Sequence, residues 1–218
     1  MLNRLRPALG KVVTPVGRTL ARTGVTPNTI TVAGTAGVAC GALLFYPRGE
    51  LFWGTMVITA FVFFDMFDGA VARITGKTGV WGAFLDSTMD RIGDAAIFAG
   101  IILWFTGDGD NALLSWLALF CLVSGVVISY AKARAEGLGL TCDVGIAERA
   151  ERLIISLVAA GLHGLGVPYA LHAGLTLLAV LSTITVAQRF HTVYRQAAGR
   201  VPGGPVPDGE TADDQVAR

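Results

Sequence analysis

The sequence predicts an all-α, polytopic membrane protein with six transmembrane helices and an N-terminal amphipathic interfacial helix. Three observations carry that prediction. Hydrophobic residues make up 53% of the 218 residues and charged residues only 15%, against about 25% charged in soluble chains. The mean hydropathy is +0.59. The few bases are distributed to one side of a six-span topology, as shown below. The same composition excludes other classes. A net charge of +1 gives nucleic acid no electrostatic handle, so no nucleic-acid partner is expected. Cys40, Cys121 and Cys142 form neither a CxxC pair nor an even framework, which excludes a disulfide scaffold.

Taken in order, residues 1–25 place Leu2, Leu5, Leu9, Val12, Val13, Val16 and Leu20 at helical spacing with bases between them. That pattern predicts an amphipathic juxtamembrane helix on a leaflet of anionic lipids. It lacks an apolar run followed by a small-residue cleavage site, so no cleaved signal is expected. Thr26-Pro27 then supplies an N-cap and a first-turn proline for the first span. A membrane helix needs ~20 mostly apolar residues. Residues 29–47 meet this without a charge, and the further spans fall at about 51–74, 82–106, 112–134, 151–169 and 171–190. Residues 26–198 thus form one six-helix domain. Residues 199–218, rich in Gly, Pro and acids, read as a disordered cytoplasmic tail.

Charge tests the span count independently. With six spans, 16 of the 17 Lys and Arg residues share one side, and Arg48 stands alone on the other. The positive-inside rule then places a multi-pass protein in the cell membrane with both termini cytoplasmic.

Spans 2 and 3 carry acids at depth. Asp65 lies roughly 13 Å along its helix from Ile74, and Asp90 roughly 12 Å from Gly82, at 1.5 Å per residue. Asp65 and Asp68 are i, i+3, and Asp86, Asp90 and Asp94 are i, i+4, i+8, so each set lies on one helix face. Two adjacent antiparallel helices joined by a short link bring these faces together. Several carboxylates in one pocket do not all stay ionised without cations. No His occurs before residue 163, and Lys and Arg are scarce at that depth. Hard divalent ions, Mg²⁺ or Mn²⁺ and two of them, fit an oxygen-only donor set. A two-metal pocket at a membrane surface suits displacement at phosphorus. Ion pairing near helix ends and proton relay are the alternatives, but a relay strings its acids across the bilayer and these cluster toward one leaflet.

Read as one string, residues 65–90 are DMFDGAVARITGKTGVWGAFLDSTMD. This resembles the CDP-alcohol phosphotransferase signature, D-x2-D-G-x2-A-R-x8-G-x3-D-x3-D, with every fixed position present. The resemblance covers about residues 1–198. It implies transfer of a phosphatidyl group from CDP-diacylglycerol to an alcohol with release of CMP. It assigns Asp65, Asp68 and Asp86 as metal ligands and Asp90 as the general base, either free or touching a metal. Gly69, Ala72 and Gly82 match positions lining the nucleotide site, where small residues equally serve close helix packing. Pro27, Asn28 and Thr31 resemble the family's nucleotide-side start of span 1, and capping accounts for part of that run. Arg73 either meets a phosphate or anchors span 2 at the interface. Asp94 falls outside the signature and is expected to support the pocket rather than ligate. The family also implies a homodimer in contact with membrane lipids.

The acceptor is read from a second basic set: Lys132, Arg134, Arg149, Arg152, Arg189 and Arg195. Arginine reads phosphate through two parallel hydrogen bonds, so these residues favour a phosphorylated polyol, although positive-inside charge also explains them singly. Arg149 and Arg152 are three apart and share a face. The run SYAKARAEGLGL…DVGIAERAERLI is similar to the actinobacterial branch that uses inositol 1-phosphate and makes phosphatidylinositol phosphate. A phosphatidylglycerolphosphate synthase using glycerol 3-phosphate is the alternative within the family. A divalent-cation transporter is the alternative of another class.

Overall fold

The computed structural model describes residues 26–76 and 79–199, with 66–70 and 73–75 described along the backbone alone. The helix expected over 1–25 and all of the expected tail except Gly199 lie outside the described residues. All regular structure among the described residues is helical. Helix α1 (Pro27–Phe45) runs into a 3-10 turn at Tyr46–Arg48, followed by α2 (Leu51–Thr75), α3 (Val80–Thr106), α4 (Ala112–Glu136), α5 (Arg149–Gly164) and α6 (Ala170–Ala198).

Local chemistry explains several of the boundaries. The Thr26 hydroxyl accepts from the Thr29 N–H at 3.3 Å, and Pro27 occupies the first turn of α1. Asn111 caps α4 in the same way, its Oδ1 accepting from Leu114 N–H at 3.1 Å. A buried bond of 2.9 Å between the Tyr46 and Thr55 hydroxyls ties the 3-10 turn to α2.

Packing closes the six helices into a ring. Helix α1 packs against α2 and α3, α3 against α4, α4 against α6, α6 against α5, and α5 against α2. Helices α2 and α3 both pack on α1, whose buried face includes Gly34, Gly41 and Ala42 and so admits close approach. The acid-bearing faces of α2 and α3 come together as expected. The antiparallel alternation gathers the starts of α1, α3 and α5 and the ends of α2, α4 and α6 at one end of the ring. Ile97, Ile101, Leu114, Leu171, Leu175 and Leu178 fill the centre.

Among the described residues, three segments are long and apolar enough to cross a membrane: Pro27–Arg48, Ala112–Glu136 and Ala170–Ala198. Helix α2 is apolar over Leu51–Asp65. The span expected at 151–169 is shorter than predicted. Helix α5 has 16 residues, about 24 Å, and ends at Gly164 ahead of a turn through Gly166 at φ +85°. Helix α6 runs past residue 190 to Ala198. Trp53, Phe63, Trp81, Trp116 and Val158 are exposed, apolar surface suited to lipid contact rather than water.

Candidate active site

Asp65 on α2 and Asp86 and Asp90 on α3 meet at the gathered end of the ring. One carboxylate oxygen from each lies within 4.8 Å of the other two. The i, i+4 spacing of Asp86 and Asp90 puts both on the α3 face that looks toward α2. Gly34 on α1 makes the approach of Asp65 possible: a Cβ there would stand 3.1 Å from Asp65 Oδ1. The donor set is oxygen only, which fits Mg²⁺ or Mn²⁺ and not a thiolate- or imidazole-seeking metal. Asp68, Gly69 and Arg73 fall in the stretches described along the backbone alone.

Two arginines of α5 reach the acids of α3 across the ring. Arg149 Nη2 lies 2.8 Å from Asp90 Oδ1, and its Nε lies 3.6 Å from Asp94 Oδ1. Arg152 Nη2 donates to Asp94 Oδ2 at 2.7 Å, and its Nη1 donates to the Gly125 carbonyl at 3.3 Å. Asp94 therefore points at the arginines and stands outside the carboxylate trio. Arg91 Nη2 flanks Asp90 Oδ2 at 3.9 Å, and its Nη1 donates to the Ser129 hydroxyl on α4.

Beside the trio opens a cleft of about 680 Å³ between α3, α4, α5 and α6. Arg91, Lys132, Arg149, Arg152 and Arg189 reach it from four helices. Four of the six basic residues expected at an acceptor site thus converge. Arg134 and Arg195 do not; both are exposed and neither lines the cleft. Helical geometry gives the reason. Arg134 is two residues from Lys132 and Arg195 six from Arg189, so at 3.6 residues per turn each turns away from its neighbour's face. Arg91 joins the four converging bases from α3, and its position next to the last signature aspartate is the signal for it in the sequence.

The converged bases are not equivalent. Arg152 and Arg189 are each only 4% exposed. Arg189 donates from Nε to the Val144 carbonyl at 2.9 Å and also bonds the Ile128 carbonyl. Lys132 pairs with Asp143 and lies 3.7 Å from Glu136. That contact holds the Asp143 carboxyl below its ordinary range, through the hydrogen bond first and then the ammonium charge. The α4–α5 connection that aims Arg149 and Arg152 is tied down from α6. Thr185 Oγ1 accepts from the N–H groups of Ile146 and Ala147 at 3.2 and 3.0 Å. Gln196 brackets Thr141, accepting its N–H at 3.0 Å and donating to its carbonyl at 2.6 Å.

On the other flank the first turns of α1 and α3 meet. A Cβ on Gly82 would lie 3.7 Å from Asn28 Oδ1. Thr31, one turn on, donates to the Pro27 carbonyl at 3.2 Å. Ala72 is half-buried near the end of α2, where its carbonyl accepts the capping N–H of Gly76.

Residues 24–194 match the model of the CDP-alcohol phosphatidyltransferase family. The chain belongs to that family. It is 55% identical over 206 residues to a phosphatidylinositol phosphate synthase of Streptomyces avermitilis, covering 91% of this chain and 84% of that one. It is 46% identical over 200 residues to a phosphatidylinositol phosphate synthase of Mycolicibacterium smegmatis, covering 90% of each. Two structures of the Mycobacterium tuberculosis phosphatidylinositol phosphate synthase are similar to it. One, with CDP-DAG bound, has a TM-score of 0.81 at 47% identity and covers 84% of this chain and 94% of that one. The other, in complex with manganese and citrate, has a TM-score of 0.80 at 48% identity and covers 84% and 88%. The chain is a CDP-alcohol phosphotransferase, an enzyme of phospholipid biosynthesis. Family membership displaces the cation-transporter alternative.

Proposed function

We propose that the protein transfers the phosphatidyl group of CDP-diacylglycerol to inositol 1-phosphate, giving phosphatidylinositol phosphate and CMP, and that it works as a homodimer in the cell membrane. The observation that carries this reading is the contact of Arg149 with Asp90 at 2.8 Å, which joins a carboxylate trio to a cleft that five basic side chains reach. The names of the relatives support inositol phosphate as the acceptor.

In this reading Asp65, Asp68, Asp86 and Asp90 hold the metal. What one or two Mg²⁺ or Mn²⁺ ions supply when bound is neutralisation of the diphosphate and stabilisation of the departing oxygen. The remaining work belongs to the chain. Pro27, Asn28, Thr31, Gly69, Ala72, Arg73 and Gly82 hold the cytidine diphosphate end. Lys132 and Arg149, with Arg91, Arg152 and Arg189 behind them, bind the acceptor phosphate and place the inositol hydroxyl against Asp90. The hydroxyl oxygen forms the new P–O bond to the phosphatidyl phosphorus, the diphosphate P–O bond breaks, and CMP leaves with the electron pair. Asp90 takes the hydroxyl proton. All six helices cross the bilayer, with the reaction on the cytoplasmic side, where 16 of 17 bases gather.

Purified enzyme with CDP-diacylglycerol and Mg²⁺ or Mn²⁺ tests this against a panel of acceptors. CMP release with inositol 1-phosphate, and not with glycerol 3-phosphate or free inositol, is expected. Turnover of glycerol 3-phosphate in preference to inositol 1-phosphate overturns the acceptor assignment.

A further inference from the structure

We propose that Asp94 is a positioning residue for the transfer reaction, the fixed anchor that keeps Arg149 in the cleft when Asp90 turns to its own chemistry. The inference rests on reading the basic cleft as the acceptor-phosphate site. Asp94 lies one helical turn beyond Asp90 on the same face of α3 and is only 8% exposed. A carboxylate at that depth needs cationic partners, and α5 supplies two. Their duties differ. Arg152 is committed to the fold, with Nη2 on Asp94, Nη1 on the Gly125 carbonyl and almost no exposed surface. Arg149 is a third exposed and spans two carboxylates, with Nη2 on Asp90 and Nε toward Asp94.

Those two carboxylates do not stay equivalent during the reaction. Asp90 belongs to the trio and faces the acceptor hydroxyl, so metal and substrate both compete with Arg149 for it. Asp94 is not one of the trio, and its two oxygens are set toward the arginines, Oδ2 on Arg152 Nη2 and Oδ1 3.6 Å from Arg149 Nε. An Arg149 held only by Asp90 would lose its sole fixed partner at the moment the acceptor phosphate needed it. Drawn to Asp94 by the ion pair at Nε, which is 3.6 Å long and not a hydrogen bond, it can exchange Asp90 for a phosphate at its Nη edge without leaving the cleft. Two parallel hydrogen bonds from that fork suit a phosphomonoester. A carboxylate that merely pinned α3 to α5 would be indifferent to phosphate.

The test uses the full-length protein in detergent without CDP-diacylglycerol. Inorganic phosphate and inositol 1-phosphate are titrated by calorimetry and Mn²⁺ by electron paramagnetic resonance. The proteins are wild type, Asp94→Asn, Asp94→Glu, Arg149→Ala and the double variant Asp94→Glu/Arg149→Ala. Asp94→Asn is expected to weaken phosphate binding roughly tenfold or more, as loss of a charge-assisted contact does, with Mn²⁺ affinity unchanged. Asp94→Glu weakens phosphate less, and adds nothing once Arg149 is Ala, because the effect runs through Arg149. Additive losses, unchanged phosphate affinity in the Asp94 variants, or an equal loss of Mn²⁺ and phosphate affinity overturns the proposal. If Asp94→Asn does not fold, the Asp94→Glu cycle decides alone. Inorganic phosphate separates the two readings: a wild type that binds phosphate through Arg149 yet ignores inositol 1-phosphate overturns the acceptor assignment, and the cycle still decides Asp94.

Discussion

The guanidinium of Arg152 fills the space that a side chain at position 125 would need. A Cβ on Gly125 would stand 2.5 Å from Arg152 Nη2 and 2.7 Å from its Cζ, while the Gly125 carbonyl accepts from Nη1. Gly125→Ala therefore forces a buried ion pair to move, at a cost of about 1–3 kcal/mol for overpacking. Thermal unfolding in detergent should shift downward and phosphate affinity should fall with it. An unshifted midpoint would mean that Arg152 is not held there.

Neutralising the trio should separate activity from stability. Asp65→Asn or Asp86→Asn removes one donor from three anions lying within 4.8 Å of one another, so crowding eases as metal affinity drops. Mn²⁺ binding and CMP release are expected to fall by about two orders of magnitude or more, within the range for lost electrostatic stabilisation, while the metal-free protein unfolds no earlier than wild type. Full activity in either variant would sink the metal assignment.

Acceptor affinity should divide the basic residues by helix face. Lys132→Ala and Arg149→Ala each remove a charge from the cleft and should raise the acceptor KM about tenfold or more, as loss of a charged hydrogen bond at ~1.5–3 kcal/mol requires. Arg134→Ala and Arg195→Ala should leave that KM near the wild-type value, since neither side chain reaches the cleft. Steady-state kinetics with CDP-diacylglycerol held saturating gives the comparison.

Thr185 controls the approach to α5 from a distance in sequence. Thr185→Val keeps the shape of a fully buried side chain but strips the N–H groups of Ile146 and Ala147 of their acceptor. Orphaning the buried Ala147 donor costs about 1–3 kcal/mol. Hydrogen exchange at Ile146 and Ala147 should accelerate, and the acceptor KM should rise more than the KM for CDP-diacylglycerol. Unchanged exchange there would mean that the loop is held by its other contacts.

Much of the site was legible because helical spacing is a strong local rule. Asp86, Asp90 and Asp94 had to share a face, as did Arg149 and Arg152, and Thr26-Pro27 had to start a helix. The same rule sets Arg134 apart from Lys132 and Arg195 apart from Arg189, whereas side of the membrane cannot tell one helix face from another. Arg189 shows a different limit. Its charge reads as phosphate-seeking in sequence, yet its guanidinium is buried on the Val144 and Ile128 carbonyls, partners 45 and 61 residues away. The order of helices around the ring was not legible either. In lipid, apolar stretches carry little information about which neighbour each will choose.

That ring order divides the site along the chain. The acidic signature is continuous in sequence, and both of its helices, α2 and α3, pack on α1. The arginines that meet Asp90 and Asp94 come instead from α5, which packs on α2 and α6. The acidic and basic halves of the site are thus written in separate stretches of sequence, and they join at two residues of α3.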